Sequence, residues 1–247
     1  MNIIYIHTHD SGRYLQPYGY PVETPNMMRL AQGSTLFRKA FCAGPTCSPS
    51  RAALLTGTYP HCNGMLGLAS RGFSPRDYDM HLVRWLSKHG YRTALSGIQH
   101  EAPDGNVIGY DEVLLEPVEK NMYVKDPEAF DHKGAELAAD YLRRQKGREG
   151  NFFLSWGMIS THRDFPTDTG DIDPDYVMPP HVVYDAPQTR MDMARYMRSA
   201  RIADDCLGIV MDAVREAELE ENTVIVFTTD HGIAFPHMKC TLYDTGI

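Results

Sequence analysis

The stretch "MDMARYMRSARIADDCLGIVMDAVREAELEENTVIVFTTDHG", Met191 to Gly232, decides the fold class. Its first half carries Met193, Tyr196, Met197, Ala200, Ala203, Leu207, Val210 and Val214 at three- and four-residue spacing, the period of a helix with one apolar face. Its second half, "NTVIVFTT", is short, continuous and rich in β-branched residues, and reads as a buried strand that delivers Asp230 and His231 at its end. The same unit recurs upstream. "NIIYIHT" reads as a strand ending near His9 and Asp10. "TPNMMRLAQG" reads as a helix with Thr24 as cap, Pro25 at the first helical position and Gly33 as stop. "STLFRKAFCAG" is a weaker strand candidate. "SRAALLTG" is a short helix closed by Gly57, and "YDMHLVRWLSKHG" a helix with Met80, Val83 and Leu86 on one face, ended by Gly90. The strand "YRTALSG", the helix "HKGAELAADYLRRQK" and the strand "NFFLSWGMI" follow, and residues 161–187, rich in Pro and Asp, read as a long surface excursion. Helices alternating with apolar strands predict an α/β fold: a mostly parallel central sheet flanked by helices.

Composition narrows the function classes. The chain has 247 residues, 43% hydrophobic, enough for a sizeable core, and a formal net charge of −8 without a long basic block, which argues against general nucleic-acid binding. The apolar run Ile3 to Ile6 is too short for a signal peptide or a membrane span. The five cysteines are scattered and contain no Cys-x-x-Cys pair, which argues against a disulfide scaffold and for a reducing, cytoplasmic compartment; a processed secreted form stays open.

Polar residues gather after the strands: His9 and Asp10, His100, His162, then Asp230 and His231. In an open parallel sheet, ligands collect at the carboxyl ends of strands, so these residues can share one rim; unrelated solvated loops give the same pattern. Asp10 and Asp230 offer hard oxygens, and His9 and His231 nitrogens, a mixture suited to one divalent cation. Calcium, magnesium, manganese and zinc all remain open, and either His can instead bond a backbone carbonyl. In "CSPSRAALLTG", Cys47 to Gly57, the cysteine opens a helix, where free N–H groups and the dipole favour an anion; Pro49 fits the first turn and Arg51 supplies fixed donors. From the residues alone, Cys47 is either a reactive group or a core side chain. Cys42 and Cys62 lack this setting and read as structural.

This eleven-residue stretch resembles the signature of the type I, formylglycine-dependent sulfatases of the alkaline-phosphatase-like superfamily. "GYRTALSGIQH", "FFLSWGMISTHRDFP", "TVIVFTTDHG" and "KCTLYDTGI" resemble the same family in the same order across the chain, and "NGMLGL" adds a sulfamidase-like flavour. The resemblance implies metal-dependent hydrolysis of sulfate esters, including sugar O- or N-sulfates. In it Cys47 is oxidised to formylglycine by a formylglycine-generating enzyme. It further implies Asp10, Asp230, His9, His231 and modified Cys47 around the metal, Arg51 steadying the modified residue, and His100, His162 and Lys239 as sulfate-binding and proton-handling groups. Two departures stand out. His9 replaces the usual first aspartate, and "GIQH" carries Ile98 where the family has lysine. The second motivates an alternative, hydrolysis of phosphonate monoesters or phosphodiesters. Residues 1–247 then correspond to the N-terminal portion of a sulfatase catalytic domain, with the C-terminal remainder and smaller subdomain absent. That expectation carries a non-enzymatic alternative, an inactive remnant or partner-binding fragment, and leaves room for an oligomer.

Overall fold

A computed structural model describes residues 1–117 and 124–247 of the protein. Five strands, β1 (Asn2–Thr8), β2 (Arg92–Gly97), β3 (Glu112–Leu115), β4 (Phe152–Gly157) and β5 (Thr223–Thr229), form one parallel sheet in the order β3-β2-β4-β1-β5. The helices are α1 (Pro25–Gln32), α2 (Cys47–Thr56), α3 (Pro60–Asn63), α4 (Leu82–Lys88), α5 (Gly105–Ile108), α6 (Pro127–Arg143) and α7 (Pro187–Glu216).

Strand alternation sorts the core into two layers. Ile4, Ile6, Ala94, Phe152, Leu154 and Trp156 face one way, against Met27 of α1, Ala135, Ala138 and Leu142 of α6, and Ala203, Leu207 and Val210 of α7. Tyr5, Leu95 and Phe153 face the other way, against Leu55 of α2, Val83 and Leu86 of α4, and Ile108 of α5. Both faces of β4 are therefore covered, which is why "FFLSWG" is apolar at nearly every position and buried throughout.

Several expectations need correction. "STLFRKAFCAG" forms no strand, and Phe37 and Phe41 are exposed. Its apolar pairs, Leu36–Phe37 and Ala40–Phe41, are separated by Arg38–Lys39 and never alternate with the period of two that a strand needs. β5 is an edge strand rather than a buried one: Val224 is 43% and Val226 42% exposed. Met80 does not share the face of Val83 and Leu86. The chain makes one 3-10 turn at Tyr78–Met80 and restarts at His81, whose Nδ1 accepts the Val83 N–H, so Met80 is left outside. Thr24 stands at the N-cap position of α1, but its hydroxyl donates back to the Val22 carbonyl; Asp204 of α7 accepts the Asn26 and Met27 amides instead. The helix expected from His132 begins at Pro127, with Asp126 accepting the Ala129 amide. The short strand β3 carries no alternation and escaped the sequence reading. The excursion at 161–187 is long as expected, yet it returns Phe165, Ile172 and Val177 to the core. All five cysteines are free thiols, and no helix among the described residues is long and apolar enough to cross a membrane.

Candidate active site at the carboxyl ends of the strands

The chain ends of β1, β4 and β5 are laced together, and the lacing fixes the site. The Asp10 amide donates to Asp230 Oδ1 at 2.8 Å, and the Gly12 amide to the His231 carbonyl at 2.8 Å. His9 exchanges backbone bonds with the next turn after β4, its amide donating to the Ser160 carbonyl at 2.9 Å and its carbonyl accepting the Thr161 amide at 2.7 Å. This turn is held from below by Asp131 of α6, whose two carboxylate oxygens accept the Ile159 and Ser160 amides. Gly232 is required by contact: a Cβ there would collide with the Thr245 carbonyl. Asp10 and His100 both have positive φ, 56° and 66°, a conformation that costs energy for residues with side chains and that clusters at functional sites.

Asp10 and Asp230 are buried side by side, each with a cation on it. Arg51, itself buried in the second turn of α2, donates to Asp230 Oδ2 through Nε at 3.1 Å and Nη2 at 2.9 Å. Its Nη1 lies 2.6 Å from His7 Nδ1. Lys239 Nζ donates to Asp10 Oδ2 at 2.6 Å. Burial opposes ionisation of both carboxyls, but the surrounding charges win. Arg51 holds Asp230 well below the usual carboxylate range, and the His9 contact holds Asp10 below it.

Cys47 is the first residue of α2 and is buried. Its Sγ lies 3.4 Å from His231 Nε2 and 4.0 Å from Asp10 Oδ1. The helix N-terminus does not make it a thiolate: burial first, then Asp230 and Asp10, push its pKa up to about 12. Above it the rings converge. His9 Nε2 is 3.1 Å from His100 Nδ1, and the His9 and His162 rings meet edge-on with centroids 4.6 Å apart. His162 Nε2 stands 3.9 Å from Asp10 Oδ2. Burial depresses all three pKa values, His9 to about 3, so the rings are neutral near pH 7. His9, Cys47, His100, His162 and Lys239 line a cleft of about 990 Å³ together with Ser48, Ser70, Lys125, Glu128 and Arg163, whereas Asp10, Asp230 and His231 lie beneath its floor.

The structure thus gathers all of the sequence-derived residues at one place: Cys47, Arg51, His100, His162, Lys239, His9, Asp10, Asp230 and His231. It reassigns the immediate contacts of two. Arg51 spends its donors on Asp230 and His7, and Lys239 sits on Asp10. Ile98 is fully buried and does not itself line the cleft. His7 and Asp131 were missed. His7 lies inside β1, where nothing in the sequence marks it as a site residue, and Asp131 is one more acid in a helix.

The donors fit a divalent cation. One ligand atom each from Asp10, Cys47, Asp230 and His231 lie within 4.8 Å of one another, as do one each from His9, Asp10, Cys47 and His162. With this geometry in place, likeness to known proteins is informative. A human N-sulphoglucosamine sulphohydrolase is 31% identical over 251 residues, covering 91% of this chain and 49% of the relative. The chain spans about half the length of the curated relatives it matches. Among solved structures, a Bacteroides thetaiotaomicron protein from a glycosaminoglycan-metabolising locus superposes with a TM-score of 0.76 at 21% identity, covering 98% of this chain and 63% of that one. The phosphonate monoester hydrolase of Agrobacterium radiobacter superposes with a TM-score of 0.71 at 18% identity, covering 94% and 62%. The family model described as Sulfatase matches residues 1–244, and the chain belongs to that family.

Proposed function

We propose that this chain carries the catalytic centre of a hydrolase for sulfate monoesters of saccharides, working through a formylglycine made from Cys47 by a formylglycine-generating enzyme. The observation that carries the reading is the position of Cys47: first residue of a helix, on the floor of the cleft, between a buried pair of carboxylates and three neutral histidines. A thiol pushed up to about 12 is a poor nucleophile at neutral pH, so the site makes chemical sense once that side chain is an aldehyde hydrate. The hydrate supplies a hydroxyl nucleophile with a second hydroxyl through which the sulfated product can break down; Asp10, Asp230, His231 and His9 would hold a divalent cation, which would supply the Lewis acidity that lowers the pKa of the attacking hydroxyl.

The chain's own residues do the rest. Arg51 locks Asp230 so that its carboxylate stays ionised and fixed. Lys239, part-exposed at the floor, is the cation placed to neutralise a sulfate oxygen when an ester displaces its contact with Asp10. His162, on the cleft wall and neutral, is placed to donate a hydrogen bond to the departing alcohol oxygen, and His100 stands beside His9, its Nδ1 3.1 Å from His9 Nε2. A saccharide fits both the size of the cleft and its mixed lining of Lys125, Glu128, Asp126 and Arg163, and the sugar-sulfate relative supports that substrate class.

Modified, metal-replete protein should release sulfate from aryl and sugar O- or N-sulfates, and Cys47→Ala should lower the rate by at least ~10³-fold while the fold is kept. Sulfate release retained by Cys47→Ala would refute the mechanism. A second reading, hydrolysis of phosphonate monoesters or phosphodiesters, draws on the likeness to the phosphonate hydrolase and on Ile98, which puts no extra cation in the cleft. Side-by-side kcat/KM values decide: a ~100-fold preference for sulfate, about 2.7 kcal/mol, rejects it.

A further inference from the structure

We propose that the cation site between Asp10 and Asp230 selects zinc over calcium, and that His100 is a positioning residue that fixes His9 as one of its nitrogen ligands. The proposal rests on the reading above only in taking the site to hold a divalent cation.

The oxygens are already spoken for. Asp10 Oδ2 carries Lys239. Asp230 Oδ1 accepts two amides, from Asp10 at 2.8 Å and His231 at 2.9 Å, and Asp230 Oδ2 carries Arg51. Asp10 Oδ1 alone meets neither a cationic side chain nor an amide. Calcium takes six to eight oxygen ligands. A site with one carboxylate oxygen facing only histidine nitrogens and the Cys47 sulfur, and one shared with a guanidinium, falls well short of that. Charge points the same way: Arg51 and Lys239 match Asp10 and Asp230 one for one, so the pair offers little net attraction to a hard ion.

The nitrogens, by contrast, are prepared. The Gly232 carbonyl, 3.0 Å from His231 Nδ1, can only accept, so Nδ1 carries the hydrogen. Nε2, the nitrogen left to bind an ion, faces Asp10 Oδ1, 3.3 Å away, and Asp230 Oδ2, 3.7 Å away. Such a nitrogen beside two carboxylate oxygens is the arrangement of a metal-bound histidine whose other nitrogen is held by a carbonyl. His9 presents Nδ1 to the same two oxygens, at 2.8 and 3.3 Å. When Nδ1 binds an ion, the hydrogen sits on Nε2 and is donated to His100 Nδ1, 3.1 Å away. Ligands at the zinc distance of roughly 2.0–2.1 Å in a tetrahedron lie about 3.3 Å apart, the middle of the four nitrogen–oxygen separations. Two imidazoles, two carboxylates and the group at Cys47 make a donor set of zinc type.

The full chain, stripped with a chelator and checked by circular dichroism, should bind one zinc per molecule by titration calorimetry at least ~100-fold more tightly than calcium. Cobalt in its place should give the intense visible band of a low-coordinate nitrogen site. His9→Asp should shrink the zinc-to-calcium ratio by an order of magnitude or more and change the cobalt band. His100→Ala should weaken zinc by ~10–100-fold and leave calcium nearly unmoved, which a merely structural role would not do. Should His9→Asp fail to fold, His100→Ala and the wild-type ratio still decide. Tighter calcium than zinc in the wild-type chain overturns the proposal, and so does a ratio unmoved in both variants. Zinc selection without sulfate release refutes only the proposed activity, whereas calcium selection with sulfate release refutes only this inference.

Discussion

At the scale of single residues, the site is a set of buried charges whose partners can be named, and Asp131 shows what such a partner does at a distance. It touches none of the site side chains. Its two oxygens accept the Ile159 and Ser160 amides, and that turn pairs with His9 and carries His162. Asparagine has one acceptor oxygen, so Asp131→Asn leaves one amide facing an NH₂ group. The expected cost is about 1–3 kcal/mol of stability. The pH dependence has a definite sign. Burial pushes Asp131 up from 3.8 to about 6, only partly offset by the two amides. An acid raised in the folded state holds its proton better folded than unfolded. It therefore adds stability below about 4 and loses that contribution as pH rises past about 6, by an amount on the order of 3 kcal/mol at most. Urea unfolding of wild type and Asp131→Asn at pH 4.5 and 7.5 reads this directly: the wild-type advantage should be larger at the lower pH, and an advantage that grows towards pH 7.5 would refute the argument. Most residues legible from pattern end a strand or open a helix, because position there constrains use, whereas Lys239 was named only through the family resemblance. Asp131 was illegible because it acts from mid-helix, and His7 because its partner, Arg51, lies 44 positions away.

At the scale of elements, α2 was legible through Pro49 and the left-handed Gly57 that ends it, although "SRAALLTG" starts three residues after the helix opens at Cys47. α1 was legible in extent but not in cause. Thr24 is a good N-cap by type, yet the capping oxygens come from Asp204, held on a 30-residue helix with Oδ1 2.7 Å from the Met27 amide and Oδ2 3.0 Å from the Asn26 amide. A cap delivered from 177 residues away leaves no local trace in the sequence. Asp204→Ala should therefore cost ~1–2 kcal/mol in urea unfolding, as loss of an N-cap does, and should leave sulfate release by the folded fraction unchanged. A neutral stability effect would return the cap to Thr24. The two helices pack directly, so the stability effect should appear in a single cooperative transition.

At the scale of the whole molecule, the alternation of helix and strand made the α/β class legible, and the carboxyl-end rule placed the site. Strand order was not legible, because every strand is short and β-branched or apolar, and composition does not say how many neighbours a strand has. "TVIVFTT" is the instructive case. It reads as buried on both faces, yet β5 lies at the sheet edge with β1 as its only partner among the described residues. Ile225 and Phe227 pack against the core under α7, while Val224 and Val226 point out on the opposite face. Among the described residues the outer edge of β5 is unpaired, and with its outward valines it offers backbone groups and apolar surface to a second copy of this chain. Lysine there keeps the strand's inward face intact and places a solvated charge where pairing would bury it. Val226→Lys should then change unfolding free energy by no more than about 0.5 kcal/mol, the usual range for an exposed position. Light scattering across a concentration series should show less self-association than wild type. If Val226→Lys destabilises the fold by 2 kcal/mol or more on the same scale of mutational effects, the valine is buried in solution and β5 is not an edge. If stability holds and association is unchanged, copies of the chain do not meet along β5, and the two arms together separate burial from pairing.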